Sequence, residues 1–323
     1  MRLGVDLGGT KIEAVILDEG GDVLWRQRVP TPQRDYNATL KAIAQLVEEG
    51  KYFAGICAST TIGIGTPGAE DKQGRMKNCN STALNGRYLR TDLSSLLKCS
   101  ISIANDANCF ALAETLGGQG KKSLSCHSNE RPVGDVLNVV FGVILGTGVG
   151  GGVVVDGKLL NGPNAITGEW GHNLMPLQAR AMAGEKEEER QCYCGRINCV
   201  ETFLSGPGLA LSYQQCFGEK LIPEEIIGHM RNIESERQES AELIWGEYMQ
   251  QLAAALAQVV NILDPSLIVL GGGLSAVPEI YRDIVPLMKP HVFTDEFDTP
   301  ILPALLGDSA GVYGAAWLVD GIT

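Results

Sequence analysis

The chain has 323 residues, more than one ordinary hydrophobic core accommodates, so we expect two domains. Its net charge of -12 offers no basic surface to nucleic acid or to an anionic membrane, which argues against both as partners. A hydrophobic content of 44% together with 40 glycines is typical of a compact α/β protein with many tight turns.

The first predicted element is a hairpin with two glycines in its turn. A strand over residues 3–7 runs into Gly8-Gly9-Thr10-Lys11, and residues 12–17 return as a second strand. Glycines allow a positive φ and let a ligand approach the bare backbone. The turn alone is that of an ordinary hairpin. Asp6 before it, with Thr10 and Lys11, makes it a candidate for binding a phosphate chain and its magnesium.

Helices and one strand follow. Apolar residues at helical spacing predict a helix over residues 38–49, and a strand over 62–65 ends at Thr66-Pro67-Gly68. A second helix is predicted over residues 107–116, with Asn105 and Asp106 at its start as capping residues. Residues 117–135 lack apolar periodicity, which predicts an exposed loop.

A second glycine-rich segment repeats the plan of the first. Residues 139–145 form a predicted strand, 146–152 a glycine turn that contains Thr147, and 153–155 a returning strand. The repeat suggests two similarly built domains that face one another across a cleft and share a nucleotide. The alternative is two unrelated hairpins. Neither segment leads from a strand into a helix, which excludes the Rossmann and Walker-type nucleotide motifs.

The C-terminal third has three predicted elements. A long helix over residues 241–263 ends at Asp264-Pro265, and a buried strand over 266–270 leads into a third glycine turn, Gly271-Gly272-Gly273. The small residues of the last segment, 309–318, predict a helix that packs closely against its neighbours.

Between these elements lies a candidate zinc site. Glu169-Trp170-Gly171-His172 precedes a cluster with the spacing C-x-C-x4-C at Cys192, Cys194 and Cys199. Three thiolates and one imidazole suit a closed tetrahedral site of the structural type. The alternative is three reduced cysteines and an unrelated histidine. If zinc is bound, Glu169 and Glu201 are held beside the metal, where they face a polar ligand.

The other six cysteines are scattered singly at positions 57, 79, 99, 109, 126 and 216, and we interpret them as small buried hydrophobic residues. The total of nine is odd, the chain opens on a strand rather than on a signal segment, and no apolar run reaches membrane-spanning length. These features predict a protein of the reducing cytoplasm.

Six segments are informative as a set: Asp6-Leu7-Gly8-Gly9-Thr10-Lys11, Asn105-Asp106-Ala107-Asn108, the run from Gly146 to Gly152, Gly168-Glu169-Trp170-Gly171-His172, the cysteine cluster, and Gly271-Gly272-Gly273. In this order they resemble the ROK family of sugar kinases within the actin-like ATPase superfamily. Residues 77–86 and 104–109 look most like bacterial fructokinases and mannokinases. Asn198 departs from the family's usual glycine, which asparagine can replace in left-handed backbone, and the loop over 119–135 is longer than usual.

The resemblance implies an α/β fold, the two-domain actin-like ATPase (ribonuclease H-like) fold with an interdomain cleft and a zinc-bound loop. The first domain would span residues 1–115, with a C-terminal helix over 309–323 packing back on it. The second would span residues 116–308 and contain the zinc site. A homodimer is also expected.

The resemblance further implies a role for each matched residue. Asp106 would be the catalytic base, and the zinc ligands would be His172, Cys192, Cys194 and Cys199. The hexose would be bound by Gly68, Asn80, Asn105, Asp106, Glu169, His172 and Glu201. ATP with Mg²⁺ would be bound by Asp6, Gly8, Gly9, Thr10, Lys11, Gly146, Thr147, Gly148, Gly271, Gly272 and Gly273. His172 would bind zinc through one ring nitrogen and the sugar through the other.

The function predicted first is ATP-dependent phosphorylation of D-fructose to fructose 6-phosphate. A second hypothesis is another ROK hexose kinase, for glucose, mannose, N-acetylglucosamine or N-acetylmannosamine. A third is a sugar-responsive repressor, which the acidic composition and the expected absence of a DNA-binding segment ahead of the first strand oppose. A sugar-binding protein without activity is opposed by the presence of Asp106.

Overall fold

The computed structural model describes residues 1–79, 81–126, 139–181 and 189–320. The chain forms two compact units. The first comprises Met1–Gly142, Gly152–Gly168 and Leu305–Thr323, and the second comprises Val143–Gly151 and Glu169–Ala304. The domain ranges given by the resemblance stay a prediction. Within the described residues, every helix is too short or too polar to cross a membrane.

The first sheet has the strand order β3-β2-β1-β4-β7. Its strands are β1 (Arg2–Leu7), β2 (Lys11–Leu17), β3 (Val23–Pro30), β4 (Ile62–Thr66) and β7 (Ile101–Asn105), and a separate two-stranded ribbon consists of β5 (Ala69–Glu70) and β6 (Met76–Lys77). Strands β1, β4 and β7 are parallel, with Asp6 opposite Gly65 and Thr66 opposite Asn105. The carboxyl ends of these three strands therefore lie along one edge of the sheet, where ligands of α/β proteins are commonly bound.

The helices of the first unit are α1 (Tyr36–Ala54), α2 (Leu89–Leu97), α3 (Asp106–Leu116), α4 (Gln119–Cys126) and α11 (Ala310–Trp317). Helices α1, α2, α3 and α11 contact this sheet, whereas α4 packs on α3. The predicted helix over 38–49 is confirmed and extends further, because Asp35 caps its first turn and Gly55 ends it in left-handed backbone. Helix α11 contacts α3, β1 and β4. A side chain at Gly63 would collide with the carbonyl of Ala315, so close packing of this helix depends on small residues.

The second sheet has the strand order β10-β9-β8-β11-β12. Its strands are β8 (Val139–Leu145), β9 (Val149–Val155), β10 (Lys158–Leu159), β11 (Leu267–Gly271) and β12 (Ile301–Pro303). The glycine turn predicted over residues 146–152 is too long, because β9 already begins at Val149. Gly152 lies within this strand. A Cβ there would come 2.9 Å from the carbonyl oxygen of Ala107, so this glycine allows close packing rather than a turn.

The second unit is mostly helical. Its helices are α5 (Leu177–Ala181), α6 (Glu201–Leu204), α7 (Gly206–Phe217), α8 (Pro223–Arg231), α9 (Gln238–Leu263) and α10 (Glu279–Met288). The long helix predicted over residues 241–263 is confirmed as α9. It ends where predicted, at Asp264, whose φ of 43° places it in left-handed backbone.

The exposed loop predicted over residues 117–135 is wrong in its first part, because Gln119–Cys126 form helix α4. The backbone amide of Gln119 donates to the buried carboxylate of Glu114, which stabilises the helix start. A side chain at Gly120 would collide with the carbonyl of Thr115, so α4 packs closely on the end of α3. Residues 127–135 lie outside the described part of the chain.

The interpretation of the single cysteines as buried is confirmed for two of them and wrong for two others. Cys79 and Cys109 are buried and Cys99 is half-buried, whereas Cys57 and Cys216 are exposed. Cys57 follows the end of α1, and Cys216 lies near the end of α7. At both ends the chain turns back at the surface, which leaves these thiols accessible to solvent. The side chain of Cys126 is outside the described part of the structure.

Candidate active site and metal centre

Asn105 and Asp106 mark the point where β7 passes into α3. The Asn105 side chain accepts a hydrogen bond of 2.7 Å from the amide of Asn108, and this cap confirms the predicted helix start. The Asp106 carboxylate accepts a bond of 2.8 Å from the amide of Ala107. The Asp106 side chain is exposed to solvent on one side. The protein around the rest of the carboxyl desolvates it, and this raises its pKa. A raised pKa makes this carboxylate a stronger base.

A second carboxylate, that of Asp6, lies on the same edge of the sheet at the end of β1. Burial raises its pKa to about 6, and the negative charges of Asp106 and Glu13 add to the shift. Lys11 and Arg28 act in the opposite direction. The charge of Asp106 acts on Asp6, and two such carboxylates repel unless a cation lies between or beside them, so this edge suits a hard divalent ion such as Mg²⁺.

The turn between β1 and β2 is held by the segment that follows β3. The amide of Gly8 donates to the carbonyl of Lys11, and the carbonyls of Gly8 and Gly9 accept bonds of 2.8 Å from the Thr31 hydroxyl and the Gln33 side chain. Gly9 and Thr10 are exposed at the tip. The turn is therefore rigid at its base and open at its tip, as binding of a phosphate chain requires.

In the second unit, the turn between β8 and β9 is held by three hydrogen bonds. Gly146 donates to the carbonyl of Gly148, and Gly206 donates to the carbonyl of Gly146. The carboxylate of Glu201 accepts a bond of 2.9 Å from the amide of Val149. Thr147 is exposed at the tip. One oxygen of Glu201, a predicted sugar ligand, is thus already engaged in fixing the predicted phosphate turn.

The third glycine turn follows β11. Gly272 has a φ of 85°, and a Cβ there would collide with the backbone of Leu145 on the neighbouring strand β8. Only glycine fits this position. Gly271, Gly272 and Gly273 therefore lie beside the end of β8, which leads into the turn that carries Thr147.

The structure brings together the four side chains predicted as zinc ligands. The ligand atoms of His172, Cys192, Cys194 and Cys199 all lie within 4.8 Å of one another. Cys192 Sγ is 3.6 Å from His172 Nδ1, and Cys194 Sγ is 3.6 Å from Cys199 Sγ. Zinc bonds of about 2.3 Å to sulfur and about 2.0 Å to nitrogen at tetrahedral angles require separations of about 3.5–3.8 Å. The donor set and its geometry fit zinc.

Backbone hydrogen bonds fix the loop that carries these cysteines. Cys192 donates to the carbonyl of Arg196, and the Asn198 amide donates to the carbonyl of Arg190. Asn198 has a φ of 58°, so the asparagine that replaces the family's usual glycine does adopt left-handed backbone. Its side chain accepts a bond of 2.8 Å from the amide of Arg190.

Arg190, which the sequence analysis did not single out, anchors this loop to α7. It is 4% exposed, its guanidinium lies over the ring of Phe203, and it donates to Ser212 and to Gln215. A buried arginine of this kind fixes the start of α6, and hence Glu201, relative to the cysteines. In the sequence, only its position two residues before Cys192 could have indicated this role.

Tyr193 is the second residue that the sequence analysis missed. Its hydroxyl lies 3.0 Å from His172 Nε2, the ring nitrogen that the resemblance assigns to the sugar. Its position between Cys192 and Cys194 was the available signal. Glu169 lies near the same nitrogen, with its carboxylate 4.0 Å away. His172, Glu169 and Tyr193 thus form one polar group beside the metal ligands.

Two further predicted sugar ligands belong to the first unit. Gly68 follows β4, and its carbonyl accepts a bond of 2.8 Å from the Thr66 hydroxyl. A Cβ at Gly68 would collide with the carbonyl of Lys77, so this position accommodates only glycine. Asn80 lies outside the described residues. The first unit thus brings Asp6, Asn105 and Asp106 to one edge of its sheet.

Comparisons with known proteins identify the family and the fold. The model of the ROK family matches residues 2–322. N-acetyl-D-glucosamine kinases of Shigella flexneri and Escherichia coli K12 are 38% identical over 98% of this chain and 99% of their own length. The ROK hexokinase of Thermus thermophilus superposes with a TM-score of 0.80 at 27% identity, covering 99% of both chains. A ROK glucokinase of Streptomyces griseus, solved with glucose and AMPPNP, has the same fold, with a TM-score of 0.69 over 98% of both chains.

Proposed function

Because this chain belongs to the ROK family and is a sugar kinase, we propose that it transfers the γ-phosphoryl group of ATP to the 6-hydroxyl of a hexose, with D-fructose as its first substrate. The position of Asp106 carries this proposal. Its carboxylate follows a buried parallel strand, lies at the start of α3, and has a raised pKa. A base that accepts the proton of an attacking hydroxyl requires such a position and such a pKa.

The sugar hydroxyl is a weak nucleophile until it loses its proton. In the proposed reaction, Asp106 accepts that proton as the hydroxyl oxygen attacks the γ-phosphorus and the bond to the β-phosphate oxygen breaks. Proton acceptance by one positioned base contributes about 10²- to 10⁴-fold to a rate. Most of the remaining acceleration in phosphoryl transfer comes from alignment and from neutralisation of charge.

Neutralisation is the proposed role of the glycine turns and of Asp6. Mg²⁺ bound with ATP supplies positive charge to the phosphates, and Asp6 would hold this ion. Gly8, Gly9, Thr10 and Lys11 would bind the phosphates, as would Gly146, Thr147 and Gly148. Gly271, Gly272 and Gly273 would contact the adenosine.

The zinc proposed at His172, Cys192, Cys194 and Cys199 would have a structural role. Four protein ligands leave no position for a reacting water, so the ion would hold the loop rather than take part in the reaction. The loop in turn fixes Glu201, which directly follows Val200 and the ligand Cys199. Through this connection the metal would orient Glu201 toward the sugar, and through its ligand His172 it would orient His172 and Glu169.

Fructose is proposed from the resemblance of residues 77–86 to fructokinases and mannokinases. The polar side chains in this segment do not all serve a sugar. Asn85 accepts a bond of 2.9 Å from the amide of Cys79 and donates one of 3.1 Å to its carbonyl, so it holds the segment's shape. N-acetylglucosamine is the second candidate, because the 38% identical relatives are kinases of that sugar.

A substrate panel tests the proposal. ADP release would be followed with ATP and Mg²⁺ and with fructose, mannose, glucose, N-acetylglucosamine or N-acetylmannosamine, and the product would be identified by phosphorus NMR. We expect the highest kcat/KM with fructose and phosphorylation at the 6-hydroxyl. A higher value with N-acetylglucosamine would replace fructose by the second candidate. Absence of turnover with every hexose would refute the kinase proposal itself.

A further inference from the structure

Four asparagine side chains line a single cavity in the first unit. The cavity has a volume of about 190 Å³, and its walls include Asn105, Asn108, Asn161 and Asn164. Only Asn105 has a role in the proposed function. Each asparagine amide can donate and accept hydrogen bonds, so a cavity with four of them suits a ligand that does both.

Asn108 provides the floor of the cavity. It is 9% exposed, and its Oδ1 atom makes no hydrogen bond within the described residues. A buried acceptor without a partner is unfavourable unless a bound ligand or water donates to it. The floor therefore suits a ligand whose O–H or N–H group can donate to this oxygen in place of a water.

Asn161 and Asn164 lie on the loop that follows β10. The Thr167 hydroxyl accepts a bond of 3.0 Å from the amide of Gly162, and the amide of Ala165 donates 2.9 Å to the carbonyl of Gly162. Ala165 has a φ of 50°, an unfavourable backbone for alanine. Both asparagines are exposed, and neither has a side-chain hydrogen bond to another described residue. The loop thus keeps a strained shape that directs two available amides at the cavity.

The cavity is also lined by four charged residues, Glu70, Asp71, Lys72 and Arg90, whose formal charges sum to zero. Arg90 donates to the carboxylate of Glu70 and to the carbonyl of Ile101. Both charged groups line the cavity and compensate one another. Glu70 Oε1 is buried and makes no hydrogen bond within the described residues, so it can accept one from a ligand. A neutral, hydroxyl-rich ligand matches both the wall and the four amides.

We propose that this cavity is the specificity subsite for the hexose, in which Asn161, Asn164 and Asn108 bind hydroxyl groups of the sugar held by Asn105. The inference rests on the proposed function. Sites that hydrogen-bond a hydroxyl discriminate strongly against ligands that lack it, because buried polar groups are then left without partners.

The test uses Asn161→Ala and Asn164→Ala, which alter a surface loop and leave the core intact. We expect each change to raise the hexose KM about tenfold and to alter the ATP KM less than about twofold, since only sugar contacts are lost. Asn37→Ala, an exposed asparagine on α1, is the matched control and should change neither constant. Asn164→Ser, which keeps one hydroxyl, should recover part of the loss.

Two outcomes separate this inference from the kinase proposal. If wild-type protein phosphorylates a hexose and both alanine variants keep its KM within twofold, the subsite is refuted while the kinase proposal stands. If wild-type protein phosphorylates no hexose, the kinase proposal fails. Calorimetric titration of the wild type and both variants with fructose then decides the subsite. Binding that the variants lose supports it, whereas equal binding or none refutes it.

Discussion

The hydroxyl of Tyr193 lies 3.0 Å from Nε2 of His172, and the two rings meet edge to face with centroids 5.2 Å apart. The other ring nitrogen, Nδ1, faces the sulfur of Cys192. A metal on Nδ1 leaves the proton on Nε2, which then donates to the tyrosine oxygen. The O–H of Tyr193 is thereby free to donate onward, so we expect tyrosine and histidine to act together on a sugar oxygen.

Replacement of Tyr193 by phenylalanine removes this hydroxyl and keeps the ring. We expect the hexose KM to rise about three- to tenfold, which corresponds to one lost hydrogen bond, with the ATP KM and the zinc content unchanged. Steady-state kinetics would measure this, with Tyr52→Phe, a tyrosine 92% exposed on α1, as the control. A lower hexose KM in Tyr193→Phe would mean that the hydroxyl competes with the sugar for His172.

Zinc should be present at one ion per chain, and its loss should affect the sugar more than the nucleotide. Cys194→Ser removes one thiolate from the cluster, so the loop that fixes Glu169, His172 and Glu201 loses its anchor. Elemental analysis would measure the metal, and calorimetry the affinities for hexose and for ATP. The control is Cys57→Ser, an exposed cysteine outside the cluster. Clean wild-type protein without stoichiometric zinc would rule the site out.

Asp106→Asn should lower kcat by about 10²- to 10⁴-fold, because the amide cannot accept the proton of the attacking hydroxyl. The amide oxygen can still accept the bond from Ala107, so α3 should keep its start and the melting temperature should not fall. Asp298→Asn, an exposed residue before β12, is the control. Turnover of Asp106→Asn within a few-fold of wild type would remove Asp106 from the mechanism.

The parts of this site that periodicity and turn chemistry determine were predictable from the sequence. Asp6, Thr66 and Asn105 each end a buried strand, so their meeting at one sheet edge follows from parallel pairing. The cluster of one histidine and three cysteines that could hold zinc was predictable from spacing. Helix α4 was not, because its start depends on the Glu114 carboxylate and on close packing against Thr115 rather than on an apolar face of its own.

The sugar contacts proposed for Tyr193 and Asn164 could not be predicted from the sequence for a related reason. Which way a loop side chain points depends on the hydrogen bonds that shape the loop. For Tyr193 these bonds connect Cys192 to Arg196 and Asn198 to Arg190. For Asn164 they connect Gly162 to Thr167 and to Ala165. Such pairings give no periodic signal.

Asp6 gives a prediction about stability that has its own pH window. Its pKa is about 6 in the folded protein against 3.8 as the ordinary value, mainly because of burial. Below about pH 3.8 the carboxyl is protonated in both states and costs nothing. As the pH rises from about 3.8 to 6, the unfolded chain loses the proton first, so the folded state loses stability relative to it. Above pH 6 the penalty is constant at up to about 3 kcal/mol, since each pKa unit corresponds to about 1.4 kcal/mol.

Asp6→Asn should therefore raise the free energy of unfolding of the ligand-free protein at pH 8, by up to about 3 kcal/mol, and by much less near pH 4. The same variant should lose phosphoryl transfer if Asp6 holds Mg²⁺, so stability and activity would move in opposite directions. Urea unfolding at the two pH values measures the first effect, and Asp298→Asn again serves as the control. Equal stability of Asp6→Asn and wild type at pH 8 would show that the folded protein already compensates this charge, for which Lys11 and Arg28 are the nearest candidates.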